Sequence, residues 1–177
     1  DTINYFKTQG PTARIADFPL TDFWGWKFND WALPAGRQGY RGSGFLWYGI
    51  PQPMLDRAFD VWSPYNEAFY SEISHAVEAS DPDELNYILK KYQVSYLLFD
   101  GSIFEPGNTN SISILQKQKN FLESSLIVSK IKEFDRITIY QVNLDVIDSF
   151  VSAHTSDLNS PYITLGTKGT LVVKETF

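Results

Sequence analysis

The hydrophobic positions fall into three kinds of run. VSYLLFD (94–100) is almost continuously apolar, which predicts a central strand covered on both faces, as in a parallel sheet. LIVSKIKEF (126–134) and RITIYQVNL (136–144) alternate instead, predicting an antiparallel hairpin about Asp135 with one wetter face. ARIADF (13–18) reads as a short strand that Pro19 ends.

Helical spacing marks three further stretches. Ala68, Phe69, Ile73, Ala76 and Val77 recur at steps of three and four behind Ser63-Pro64, a pair suited to an N-cap and first helical position. Leu85, Ile88, Leu89 and Tyr92 give the buried face of a helix that Ser80-Asp81-Pro82-Asp83-Glu84 opens. SISILQKQKNFLESS (111–125) predicts a helix with Ile112, Leu115, Phe121 and Leu122 toward the core. Residues 3–9 read as the last turns of a helix closed by Gly10-Pro11, and MLDRAFDVW, after Pro53, as a helical turn or the entry to a strand. This order predicts an α/β layered domain whose mixed sheet of about four strands or more is flanked by helices.

One stretch obeys neither period. From Asp17 to Trp62 the chain is irregular yet holds all five tryptophans: Trp24, Trp26, Trp31, Trp47 and Trp62. Loops normally expose polar residues, so an aromatic-rich loop over 18–62 either wraps over the sheet or presents its rings to a ligand. Its part with Gly36, Gly39, Gly42 and Gly44 reads as the most pliable, an inserted tip. Past Leu144 the pattern weakens, and a hairpin is expected about Gly166–Gly169. The expected division is an α/β unit over 1–144 and a β-rich extension, or the start of a second small unit, over 145–177.

Composition narrows the partners. A formal net charge of −6 and no basic run argue against nucleic acid and anionic lipid. The absence of cysteine excludes disulfides, thiolate metal sites and cysteine catalysis. No apolar run reaches the roughly 18–20 residues of a membrane span, and with Asp1 first and no leader the sequence reads as a segment of something longer.

The phrases ARIAD (13–17), GYRGSG, LDRAFDVWS, YILKKYQVSYLLFD (87–100) and FDRITIYQVN (134–143) carry a resemblance. Together they resemble the extracytoplasmic domain of polytopic bacterial membrane proteins of the glycosyltransferase C type, YfhO-like proteins among them. The likeness runs from Arg14 to Asn143. It implies an outward-facing, cell-envelope domain tethered through flanking transmembrane segments. It also implies contact with a glycan acceptor or a lipid-linked sugar, with catalysis lying elsewhere in the parent protein. It brings no catalytic residue, cofactor or metal to this chain.

The candidate glycan platform is Trp24, Trp26, Trp31, Trp47, Tyr48 and Trp62, flat rings that stack on sugar faces. Asp22, Asn29, Asp30 and Arg41 are its polar partners in the loop. The competing reading places these rings in the core of a structural or protein-interaction domain. Asp56, Arg57 and Asp60 form a charged cluster beside Trp62. On a helix Asp56 and Asp60 share a face, and paired carboxylates serve sugar hydrolysis. The plainer alternative is that Arg57 pairs with a carboxylate and shapes the loop. His75 and His154 lie far apart without an acidic cluster, which is no metal pattern. Ser43 lacks the flanks of a nucleophile elbow, and the lysines 117, 119, 130 and 132 read as solvated surface.

Overall fold

The computed structural model describes residues 1–20, 27–31, 39–42, 46–57, 63–104 and 111–144. The expected hairpin near Gly166 and the whole extension over 145–177 lie outside these residues.

The architecture is the expected layered α/β domain. A short helix α1 (Thr2–Lys7) leads into β1 (Arg14–Phe18). The aromatic segment then supplies β2 (Lys27–Phe28), β3 (Arg41–Gly42), a 3₁₀ turn over Leu46–Tyr48, and β4 (Met54–Leu55). Two helices follow, α2 (Pro64–Ala79) and α3 (Pro82–Lys91), then β5 (Val94–Asp100), α4 (Ser111–Ser124), β6 (Val128–Phe134) and β7 (Ile137–Val142).

The main sheet has five strands in the order β4-β1-β5-β7-β6. β1 runs parallel to both β4 and β5, whereas β7 is antiparallel to β5 and to β6. The apolar run of β5 thus lies in the middle, as predicted, but its neighbours differ in direction: a helical connection returns from β1, and a tight turn joins β6 to β7. Asp135 sits in that turn with φ 55°, a left-handed conformation that Asp tolerates better than most residues.

Alternation sorts the core onto two faces. Ala16, Phe18, Leu97, Phe99, Tyr140 and Val142 meet the buried faces of α2, α3 and α4. Ile15, Leu98 and Ile139 point the other way and meet Phe6 of α1 with Leu46 and Ile50. The second layer is therefore made by α1 and by part of the aromatic segment, which explains why that segment carries apolar residues without a helical period.

The helix starts follow the sequence signals. Ser63 accepts the Asn66 amide at 3.3 Å, and Asp81 accepts those of Asp83 and Glu84, both at 3.1 Å. Two apolar positions depart from expectation. Ala68 is exposed, and Ile112 is 76% exposed although its spacing pointed it at the core. Ile112 lies in the first turn of α4, beyond the reach of the sheet that buries Phe121 and Leu122 at the other end.

Candidate functional site

The parallel strands β1, β4 and β5 all end on the same edge of the sheet, where α/β folds place their ligands. Each strand delivers a buried carboxyl there: Asp17 in β1, Asp56 just after β4, and Asp100 at the end of β5. Polar groups this deep require partners. The aromatic segment supplies them.

Lys27 of β2 reaches into the gap between β1 and β4. Its ammonium bonds Oδ2 of Asp17 and, at 2.7 Å, Oδ2 of Asp56, and all three side chains are almost wholly buried. One ammonium faces two carboxyls. Burial, as the largest influence, pushes the Asp17 carboxyl well up; Lys27 opposes this and the Asp56 carboxylate reinforces it. Burial also works against the charge on Lys27, but the two aspartates outweigh it and hold the pKa above the ordinary lysine value. The second oxygen of Asp17 has no hydrogen-bond partner among the described residues. Beside it lies a cavity of about 10 Å³, room for roughly one water.

Asn29, two residues on, makes a second anchor. Its amide nitrogen donates to Oδ2 of Asp100 at 2.9 Å and to the Ser102 hydroxyl at 2.8 Å. Asp100 in turn accepts the Ser102 amide at 2.9 Å and its hydroxyl at 2.6 Å. Backbone bonds sew the same strip down: Asp30 N–H to Ser102 O at 2.7 Å, and Phe104 N–H to Phe28 O at 2.8 Å. With β3 pairing on the far side of β2, the strip is the middle of a small ribbon held across the carboxyl edge.

This ribbon places some of the candidate residues. Trp31 follows directly from it and is 48% exposed, and Arg41 is exposed opposite Phe28. Tyr48 is 80% exposed at the end of the 3₁₀ turn, on the α1 side of the sheet. Asp56 and Arg57 are adjacent but serve different partners. Asp56 is buried against Lys27, while Arg57 bonds Glu67 of α2 at 2.8 Å and lies 4.3 Å from the centre of the Tyr70 ring. Trp24, Trp26, Asp60 and Trp62, with the polar candidate Asp22, lie outside the described residues, as does the side chain of Trp47.

Next to the ribbon, where β5 ends, is a cavity of about 370 Å³, the size of a small-ligand site. Asp30 of the ribbon forms part of its wall, with Gly101–Phe104, the outer face of α4 and the β6–β7 turn. Sequence reasoning missed Asp17, Lys27 and Asp100 as edge groups. The available signal was an Asp at the carboxyl end of each predicted inner strand. No group of three or more acidic or histidine side chains suited to a metal occurs among the described residues, and none of their helices is long and apolar enough to cross a membrane.

No known family pattern matches the sequence, and no curated protein matches it. Among solved structures the chain is similar to the C-terminal globular domain of an oligosaccharyltransferase from Archaeoglobus fulgidus, with a TM-score of 0.43 and 14% identity over 80% of this chain and 94% of that one. It is also similar to the arabinofuranosyltransferase AftD from Mycobacteria, with a TM-score of 0.56 and 16% identity over 81% of this chain. The chain spans 12% of the length of AftD, and at this identity the likeness is one of fold.

Proposed function

We propose that this chain is the globular, extracytoplasmic domain of a multi-pass, glycosyltransferase-like membrane protein, and that it recognises a glycan or lipid-linked sugar without catalysing its transfer. The observation that carries this reading is the fold shared with a 12% portion of an arabinofuranosyltransferase. The ribbon at the carboxyl edge supports it: a half-exposed Trp31 and an exposed Arg41 stand on a strip whose backbone is fixed by buried polar anchors. A fixed ring costs little entropy when a sugar face stacks on it. The α/β unit ends near residue 144 in this reading, since β7 ends at Val142, with 145–177 a β-rich extension or the start of a second small unit.

A purely structural or interaction domain is the competing reading. Its support is that Lys27 and Asn29 of the ribbon are spent on carboxyls of the main sheet. A hydrolase built on Asp56 and Asp60 has less in its favour, because Asp56 is buried and bound to Lys27.

Titration of neutral oligosaccharides, arabinan fragments among them, against tryptophan emission separates the readings. Saturable binding that Trp31→Ala weakens, with an unchanged melting curve, is the expected outcome. An absence of binding across the panel overturns glycan recognition, and a full-length gene product that stays out of the membrane fraction overturns the membrane assignment.

A further inference from the structure

The cavity at the carboxyl end of β5 has a chemistry of its own. Arg136, from the β6–β7 turn, lies on its wall with Lys119 of α4. The Arg136 guanidinium donates one hydrogen bond, from Nη1 to the backbone oxygen of Asp30 at 2.9 Å. A guanidinium carries five N–H donors in a planar fork, and among the described residues Arg136 has no carboxylate partner. Glu133 shares the wall but is already served: Lys130 bonds it directly and, as the largest influence, holds its carboxyl below the usual range, with Lys119 at 3.9 Å. Among the described residues the cavity is lined by two cations, Lys119 and Arg136, and two carboxylates, Asp30 and Glu133; Glu133 is bonded by Lys130 from outside the lining, and the Arg136 fork keeps donors beyond the one given to the Asp30 backbone oxygen.

The lining also holds apolar side chains. Ile112 is 76% exposed where its spacing predicted core, and Phe104 stands beside the Phe28 ring at 6.2 Å between centres. A planar cation fork in one lining with apolar side chains suits a compact ligand with an anionic group at one end and a C–H face at the other.

We infer that this cavity binds the acidic group of a sugar, a carboxylate or a phosphate, with Arg136 gripping the anion and Ile112 and Phe104 packing against the ring. The inference rests on the glycan reading and specifies a second subsite for it, apart from the exposed rings.

The test uses the whole chain, with glucuronate, glucose 1-phosphate, glucose and inorganic phosphate as probes in calorimetry or ligand-observed NMR. Glucuronate or glucose 1-phosphate is expected to bind more tightly than glucose and than inorganic phosphate, and which of the two wins tells carboxylate from phosphate. Arg136→Gln is expected to weaken the acidic sugar about tenfold or more, the scale of one lost charged hydrogen-bond pair. Ile112→Trp leaves the charges untouched, sits at an exposed position, and is expected to weaken binding by filling the cavity, which keeps the test valid should the arginine variant fold poorly. Failure of both acidic sugars to bind, affinities unmoved by either variant, or equal binding of inorganic phosphate overturns the inference. If neutral oligosaccharides bind through Trp31 while acidic sugars do not, this subsite fails and the glycan reading stands. The reverse pattern leaves the subsite standing without the aromatic platform.

Discussion

The Lys27 ammonium lies 2.7 Å from Oδ2 of Asp56, joining the first strand of the ribbon to the edge strand of the main sheet. The same ammonium holds Asp17 of β1, so one side chain ties three strands at the carboxyl edge. Replacing Lys27 with Met is expected to cost about 3–5 kcal/mol, because it strands two buried carboxyls rather than merely deleting a contact. Adding Asp17→Asn and Asp56→Asn to that variant should return much of the loss, since the charges then vanish together. Urea unfolding measures both; a Lys27→Met loss below about 1 kcal/mol would show that the site is wetter and looser than its burial implies.

Stability should fall with rising pH on account of Asp17. Burial raises its folded pKa above the unfolded value of about 4, so the folded state holds the proton more tightly. The contribution is fully present below the unfolded pKa and is lost as pH climbs toward the raised one. Lys27 acts at the other end of the scale: its folded pKa is raised too, so its contribution persists below about pH 10 and is lost above. Asp17→Asn should flatten the decline on the acid-to-neutral side and, because Asp17 is one of the two carboxyls that raise Lys27, shift the alkaline limb to lower pH. Identical slopes for wild type and Asp17→Asn, from urea melts across that range, would refute the assignment.

The Asn29 anchor is expected to behave as a local lock. Asn29→Leu removes the donor to Asp100 and Ser102 and leaves Oδ2 of Asp100 short of a partner in a buried place. A cost of about 1–3 kcal/mol follows from that unmet acceptor. Hydrogen exchange should locate it: the amides of Asp30 and Phe104, which bridge the ribbon to the end of β5, should open faster, while those within β5 and β7 keep their protection. Uniform loss of protection across the sheet would mean that the ribbon and sheet unfold as one unit.

Much of this fold was written in short-range pattern. Ser63-Pro64 and Asp81-Pro82 start their helices where side-chain oxygens meet free amides, and Leu85, Ile88, Leu89 and Tyr92 are all buried as their spacing required. β5 advertised its central position by having no polar face. The aromatic segment hid its structure for a physical reason. β2, β3 and β4 are two residues long each, too short for any period to emerge, and they are held by partners far along the chain: Lys27 by Asp56, Asn29 by Asp100. Met54–Leu55 read as a turn or strand entry because its pairing with β1 depends on tertiary register alone. The edge carboxyls were visible as letters, but only the parallel order of β4, β1 and β5 brings their ends together.

Gly39 offers the sharpest test of how the ribbon holds its shape. A Cβ placed there would lie 2.1 Å from the backbone oxygen of Asn29, well inside contact distance and against main chain that cannot rotate away. Asn29 N–H meanwhile donates to Tyr40 O at 2.9 Å, so the two strips are clamped at that separation. Gly39→Ala must therefore push β3 from β2, and the strain should be released locally, since the ribbon's other side is fixed by Lys27 and Asn29. The expected result is a loss of about 1–3 kcal/mol in ribbon protection, read as faster exchange at the Asn29 amide, with little change at Leu97 or Tyr140. On the proposed glycan reading, sugar affinity should fall in the same variant, because Trp31 follows directly from the ribbon strip. An intact affinity together with a disrupted ribbon would separate the tryptophan from the anchor, and would move the glycan contact to rings elsewhere in the aromatic segment.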